Sequence, residues 1–188
     1  MTHDAYDRDV SIRHTDAPDD RTAVLVPFPS MEPRLRDLRS QFPAAAGGIV
    51  PHVTLVAPFA PPAEVDDTIL EELARRFGQV RSFPVDFVAV RAFPDGTVYL
   101  EPSPSTPFSD LTRSLVGRFP DYPPYGGAFR EVVPHLTVGT AATGEARGRL
   151  ESLAAVAAGA GGFAEAAWLV RYGPTSWRGV AEFAFAPS

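Results

Sequence analysis

The chain contains no cysteine, and all 17 of its basic side chains are arginine; there is no lysine. The first absence excludes a disulfide framework, a thiol nucleophile and a cysteine zinc site. The second excludes lysyl-adenylate ligation, Schiff-base chemistry and the P-loop lysine. No apolar run reaches membrane-spanning length, and the start Met1-Thr2-His3-Asp4 lacks the basic-then-apolar pattern of a signal peptide. A cytoplasmic protein with no membrane partner is expected. Positive charge is also scarce. Residues 1–20 hold six acids and two bases, which is −4 of the total −6 and leaves about −2 for the rest. That balance is poor for gripping a long phosphate backbone, so long structured nucleic acid is not an expected partner. A small phosphate ligand or an RNA end is compatible with it.

Histidine is scarce too, and its placement is informative. Of four in 188 residues, His3 and His14 lie in the polar leader. The other two sit in one repeated pattern, Pro51-His52-Val53-Thr54-Leu55 and Pro134-His135-Leu136-Thr137-Val138, 83 positions apart. In an extended strand successive side chains alternate faces, so each His and the Thr two residues on point the same way. Val53 and Leu55, and Leu136 and Val138, point into the core. A Thr in a strand ordinarily reflects β propensity. Its two-residue spacing from His, twice, is what singles these two out.

The leader, residues 1–20, has no apolar period and reads as a disordered segment. Residues 21–188 form one domain of ordinary globular composition, 45% hydrophobic and 21% charged in the whole chain. Thr22–Phe28 reads as a first buried strand. Ser30 is a candidate N-cap for a helix to about Phe42, with Leu35, Leu38 and Phe42 on one face. The first His strand follows a loop at Pro43–Gly48. Glu64–Phe77 carries Val65, Ile69, Leu73 and Phe77 at helical spacing and ends at Gly78. Ser82–Phe93 and Thr97–Glu101 flank a hairpin turn at Pro94-Asp95-Gly96. Phe108, Leu111, Leu115 and Phe119 mark a third helix, and a Pro-, Gly- and Tyr-rich loop, Pro120–Pro134, leads to the second His strand. An Ala-rich helix, Gly144 to about Ala158, precedes closing strands at Phe163–Tyr172 and Trp177–Phe185 around Gly173-Pro174-Thr175. The element order implies an α+β chain with an approximate internal duplication, each half carrying one His strand.

Two imidazoles and two hydroxyls suit in-line displacement at phosphorus. One group must take a proton from the attacking oxygen while another gives one to the leaving oxygen. An imidazole with a pKa of about 6.5 serves either role near neutrality. Thr hydroxyls can donate to nonbridging phosphate oxygens, where charge builds in the transition state. Neither motif brings a carboxylate or Cys at ligand spacing, so no metal site is expected.

Two His-x-Thr strands, the first continuing as His-Val-Thr-Leu-Val-Ala-Pro-Phe, resemble the 2H phosphoesterase superfamily. The similarity is to its bacterial branch, named for 2′-5′ RNA ligase and cyclic nucleotide phosphodiesterase activity. It runs from about Arg21 to Pro187 and includes Tyr122-Pro123-Pro124-Tyr125-Gly126-Gly127 and Trp177. The resemblance implies a bilobal, pseudo-twofold fold with antiparallel sheets lining a central groove and helices outside. It implies that His52 and His135 are the acid–base pair, Thr54 and Thr137 the phosphate donors, and that no cofactor is used. The implied reaction opens 2′,3′-cyclic or related phosphodiesters in a small nucleotide or RNA terminus, with reversible 2′-5′ RNA ligation beside it. The motif does not say which His is acid and which is base.

Other residues carry two readings each. Tyr122, Tyr125 and Phe129 either stack a base or cover the core from a rigid loop. Arg130 either pairs with a phosphate or is simply part of that rigid connector. Trp168, Trp177, Arg171 and Arg178 belong to the closing strands, with the Trp pair as core or groove wall, and Tyr99 reads as packing. Two alternatives to the enzyme remain, a non-catalytic nucleotide or RNA-end binding module and a phosphoesterase acting on a non-nucleotide metabolite.

Overall fold

A computed structural model of the protein describes residues 21–43, 48–128, 132–172 and 176–188. The leader, Phe129, Arg130 and the turn Gly173-Pro174-Thr175 lie outside them, as does part of the loop before His52. The chain runs β1 (Arg21–Pro27), α1 (Glu32–Gln41), β2 (His52–Val56), α2 (Asp67–Phe77), β3 (Phe83–Ala92) and β4 (Thr97–Ser103). It continues α3 (Thr106–Arg118), β5 (Leu136–Thr140), α4 (Gly144–Ala154), β6 (Gly161–Ala164), β7 (Ala166–Tyr172) and β8 (Trp177–Ala184). The α+β class is as expected from the sequence.

The sequence reading and the structure differ at the expected strand Phe163–Tyr172, which is two strands, β6 on β3 and β7 on β1, and at the helix starts. Pro29, Ser30 and Met31 form a 3₁₀ turn, so Met31 rather than Ser30 is the N-cap of α1. The Ser30 hydroxyl reaches instead toward the Gly161 carbonyl, at 3.4 Å. The second helix starts at Asp67, because the Asp66 carboxylate accepts from the Ile69 N–H at 2.9 Å and caps it there. Pro62–Glu64 is a separate 3₁₀ turn, and Val65 between the two is extended. The last helix gives way to a 3₁₀ turn, Ala155–Ala157.

The strands make one eight-stranded sheet in the order β6-β3-β4-β5-β2-β1-β7-β8, with every neighbouring pair antiparallel. Exchanging β2 with β5, β1 with β4, β7 with β3 and β8 with β6 reproduces this order, so a pseudo-twofold passes between β2 and β5. One lobe holds strands from both ends of the chain, β1 and β2 pairing outward to β7 and β8; the other holds the middle strands, β4 and β5 pairing outward to β3 and β6. The symmetry extends to irregularities. On β2, the register passes from Leu25↔Thr54 to Val24↔Val56 and skips Leu55. On β5, it passes from Tyr99↔Thr137 to Val98↔Gly139 and skips Val138. Both bulges fall on the residue after the motif Thr. In the first lobe the bulge turns both Leu55 and Val56 into the core. The freed Leu55 carbonyl accepts from the buried Thr112 hydroxyl of α3 at 3.1 Å.

All four helices cover one face of the sheet. Leu35, Leu73, Phe77, Phe108, Leu115 and Leu150 pack there with Val53, Leu55, Leu136 and Val138, each 2% exposed or less. Burying side chains of this size contributes about 1.5–3 kcal/mol each before conformational entropy is counted. The helices fit closely. A Cβ on Gly139 of β5 would lie 2.4 Å from the Phe42 carbonyl oxygen at the end of α1, so only Gly is accommodated there. Among the described residues, the opposite face of the central strands carries no helix.

Candidate active site

That helix-free face holds the repeated motif. His52 and Thr54 alternate with buried Val53 and Leu55, and His135 and Thr137 with buried Leu136 and Val138. His135 lies one residue before β5, because β2 and β5 meet through the single ladder pair Val53↔Leu136. Counting one residue either way in the antiparallel sense sets His52 beside Thr137 and Thr54 beside His135. The four residues the sequence singled out therefore converge, two from each lobe.

Both rings are held alike. His52 Nδ1 lies 2.8 Å from the Val50 carbonyl oxygen and His135 Nδ1 lies 2.7 Å from that of Val133. A carbonyl only accepts, so Nδ1 carries the proton and donates it. Nε2 of each neutral ring is left with its lone pair available. The Pro after each Val disfavours helical backbone at that Val, fixing where its carbonyl points. The repeat is thus one residue longer than the sequence reading made it, Val-Pro-His-x-Thr. The recurrence of Val50 and Val133 was the available signal.

The electrostatics of the two rings differ. Burial first, then the Arg39 guanidinium and His135 itself, push the His52 pKa down to about 4, against the opposing bond to Val50. Burial also lowers that of His135, but the Val133 bond and the Asp95 carboxylate act the other way. At neutral pH His52 is neutral, and His135 is the ring with a carboxylate favouring its proton. Arg39 was missed by the sequence reading, since nothing local marks it. From the last turn of α1 it donates to the Ile49 carbonyl at 2.8 Å, lies 3.5 Å from Glu32, and steadies the chain entering the first motif.

The remaining candidates separate. Tyr99, 8% exposed, stacks on Phe93 at 4.4 Å between centroids, and both rings meet His135 edge-on at 5.4 and 5.0 Å. It packs, as expected, but against a motif histidine. Tyr122 packs on Phe59 and donates to Glu64 at 2.6 Å, which pushes its pKa up to about 12 and gives it a structural role. Tyr125 has left-handed backbone, φ 53°, and its N–H bonds the Ala57 carbonyl at 2.7 Å, tying its loop to the end of β2. Trp168 lies on the motif face, because Leu25 is opposite both Thr54 and Trp168. Trp177 pairs with Tyr172 on that same face, whereas Arg171 and Arg178 pair with each other on the other. Among the described residues no group of three or more His, Asp or Glu is placed to hold a metal ion.

The model of the 2′-5′ RNA ligase superfamily matches residues 27–171. The chain belongs to that superfamily. Escherichia coli LigT complexed with NADP+ superposes with a TM-score of 0.58 at 16% identity, over 90% of this chain and 99% of LigT. TT0787 of Thermus thermophilus gives 0.59 at 18%, over 87% and 97%. LigT complexed with 3′-AMP gives 0.54 at 16%, over 89% and 98%. At these identities the likeness is one of fold. No curated protein sequence matches the chain. Membership of the superfamily supports phosphoesterase-type chemistry, and no helix among the described residues is long and apolar enough to cross a membrane.

Proposed function

We propose that the protein is a phosphodiesterase that opens 2′,3′-cyclic phosphates to 2′-phosphates, and that joins RNA ends reversibly through a 2′-5′ linkage when an RNA 5′-hydroxyl attacks in place of water. The observation that carries this reading is the paired Nδ1-to-carbonyl bond, which leaves two Nε2 atoms available beside two Thr hydroxyls on one open face. In the forward direction His52 Nε2 takes a proton from water as its oxygen attacks phosphorus. The bond from phosphorus to the ribose 3′-oxygen breaks, and His135 Nε2–H protonates that oxygen. Thr54 and Thr137 donate to the nonbridging oxygens as they gain charge. His52 then releases its proton to solvent and His135 takes one up, so the scheme needs no metal and no cofactor.

The base role goes to His52 because Arg39 and burial keep it unprotonated, and the acid role to His135 because Asp95 and a bound anionic phosphate favour its proton. Phosphorus NMR with 2′,3′-cyclic nucleotides and a short RNA ending in that group, run in chelator, tests the reaction. A 2′-phosphate product supports it. Ligand shifts without product would replace it with a binding module, and no interaction would move the substrate outside nucleotides. The role assignment has its own test. A nucleoside p-nitrophenyl phosphodiester, whose leaving group departs unprotonated, restores turnover to His135→Ala and not to His52→Ala; the opposite pattern reverses the roles.

A further inference from the structure

The two motif rings share one anchor and differ in the second. Each donates from Nδ1 to a carbonyl two residues back, but the His52 bond is partly buried and the His135 bond is exposed. Water competes for an exposed bond, so that bond restrains its ring less well. The chain entering His52 is further held by Arg39, through the Ile49 carbonyl. The chain entering His135, residues 132–135, belongs to no strand or helix, and Val133 is 48% exposed. What meets His135 instead is a pair of aromatic rings. Phe93 and Tyr99 stack with centroids 4.4 Å apart and planes 27° from parallel. The imidazole stands nearly perpendicular to Phe93, at 86° and 5.0 Å, and steeply tilted to Tyr99, at 61° and 5.4 Å. Rotating it out of that position breaks both edge-on contacts at once. The aromatic pair is itself tied to the strand that follows His135. The Phe93 N–H bonds the Thr97 carbonyl at 2.9 Å across the hairpin between β3 and β4, and the Ala141 N–H bonds the Gly96 carbonyl at 3.1 Å. Ala141 directly follows β5, and a Cβ on Gly96 would lie 2.4 Å from its oxygen. At the pseudo-equivalent of Tyr99, opposite Thr54, stands Leu25, which offers no ring.

Taking the reaction proposed above as its basis, we infer that Phe93 and Tyr99 are positioning residues, which hold His135 in the Nδ1–H tautomer with Nε2 set toward the leaving oxygen. An acid in that place must lose its proton from Nε2 and keep the one on Nδ1. An imidazolium carries both, and the bond to the Val133 carbonyl decides which one stays. A ring free to swing away from that carbonyl loses the distinction and carries Nε2 out of line. The aromatic ring does the holding, so the Tyr99 hydroxyl is dispensable for it.

The test uses Tyr99→Phe, which keeps the ring, and Tyr99→Leu and Phe93→Leu, which each remove one, with melting curves to confirm folding. Nitrogen NMR of the His135 imidazole in mildly alkaline buffer reads the tautomer and requires no substrate. Wild type and Tyr99→Phe show Nδ1–H alone, and each Leu variant shows a mixture with Nε2–H. Turnover is the second readout. With a 2′,3′-cyclic nucleotide, whose leaving oxygen needs the proton, each Leu variant loses about tenfold in kcat at unchanged KM, a part of what a positioned acid supplies. With the nucleoside p-nitrophenyl phosphodiester, which needs no acid, the same variants keep the wild-type rate. Mere loosening of the site would slow both substrates alike. Should Tyr99→Leu fail to fold, Phe93→Leu, which removes a partly exposed ring, carries both readouts. An unchanged tautomer in the folded Leu variants overturns the inference, as does an equal loss on both substrates, or a loss in Tyr99→Phe that matches Tyr99→Leu. A wild-type protein that turns over neither substrate removes the reaction instead, and the tautomer then decides the positioning role by itself.

Discussion

His52 and His135 are held by their own chain, each through Nδ1 and the carbonyl two residues back. An amide can imitate that half of the imidazole. His52→Asn keeps a donor near the Val50 carbonyl and lacks Nε2, so its melting temperature should stay near wild type while turnover falls at least a hundredfold, the usual contribution of a positioned base. The lowered pKa has a further consequence. A native pKa of about 4 for His52, against 6.5 when unfolded, means the unfolded state binds the extra proton first as pH falls. Stability is therefore full above about pH 6.5 and declines toward pH 4, and His52 contributes up to about 3 kcal/mol of that loss. Unfolding by denaturant at a series of pH values should show a shallower acid decline in His52→Ala than in wild type. An equal decline would mean that the ring is not held neutral.

Strand β2 was legible almost to the residue, since the period-two alternation of His52, Val53, Thr54 and Leu55 is the pattern of a sheet with one buried face. The bulge that follows was not legible, because Leu55 and Val56 are both apolar and only the partner strand shows which is unpaired. Its energetic support comes from 57 residues away, in Thr112. Thr112→Val removes the hydroxyl at nearly constant volume and leaves the Leu55 carbonyl unmatched, which should cost about 1–3 kcal/mol in denaturant unfolding. Gly139→Ala should destabilise by a similar or larger amount, because the backbone at Phe42 has to move. The helix starts were misread for a comparable reason. Ser30 carries the right side chain for a cap, but the 3₁₀ turn at Pro29–Met31 moves the cap one residue on, whereas Asp66 makes its cap through a bond the sequence alone does not display.

The duplication inferred from element order is present, but its halves are interleaved rather than side by side, with β7 and β8 completing the lobe begun by β1 and β2, and β5 and β6 the lobe begun by β3 and β4. Local periodicity cannot reveal such an exchange, because a strand's own pattern does not name its neighbour. The exchange ties the site together: neither lobe is made from one half of the chain, so β2 and β5 are each flanked by strands that depend on the other half. Arg39 became visible only once the chain was folded, and it acts on His52, which the motif had already marked.

The central claim is that one histidine from each lobe acts with the other on a single phosphorus. Groups that work as a unit fail together, so removing either should cost about as much as removing both. The direct measurement is the turnover of a 2′,3′-cyclic nucleotide by His52→Ala, His135→Ala and the double variant, with melting curves confirming that each is folded. The account predicts three similar residual rates, each at least a hundredfold below wild type. Wild-type turnover in either single variant would contradict it, as would losses that simply multiply in the double variant.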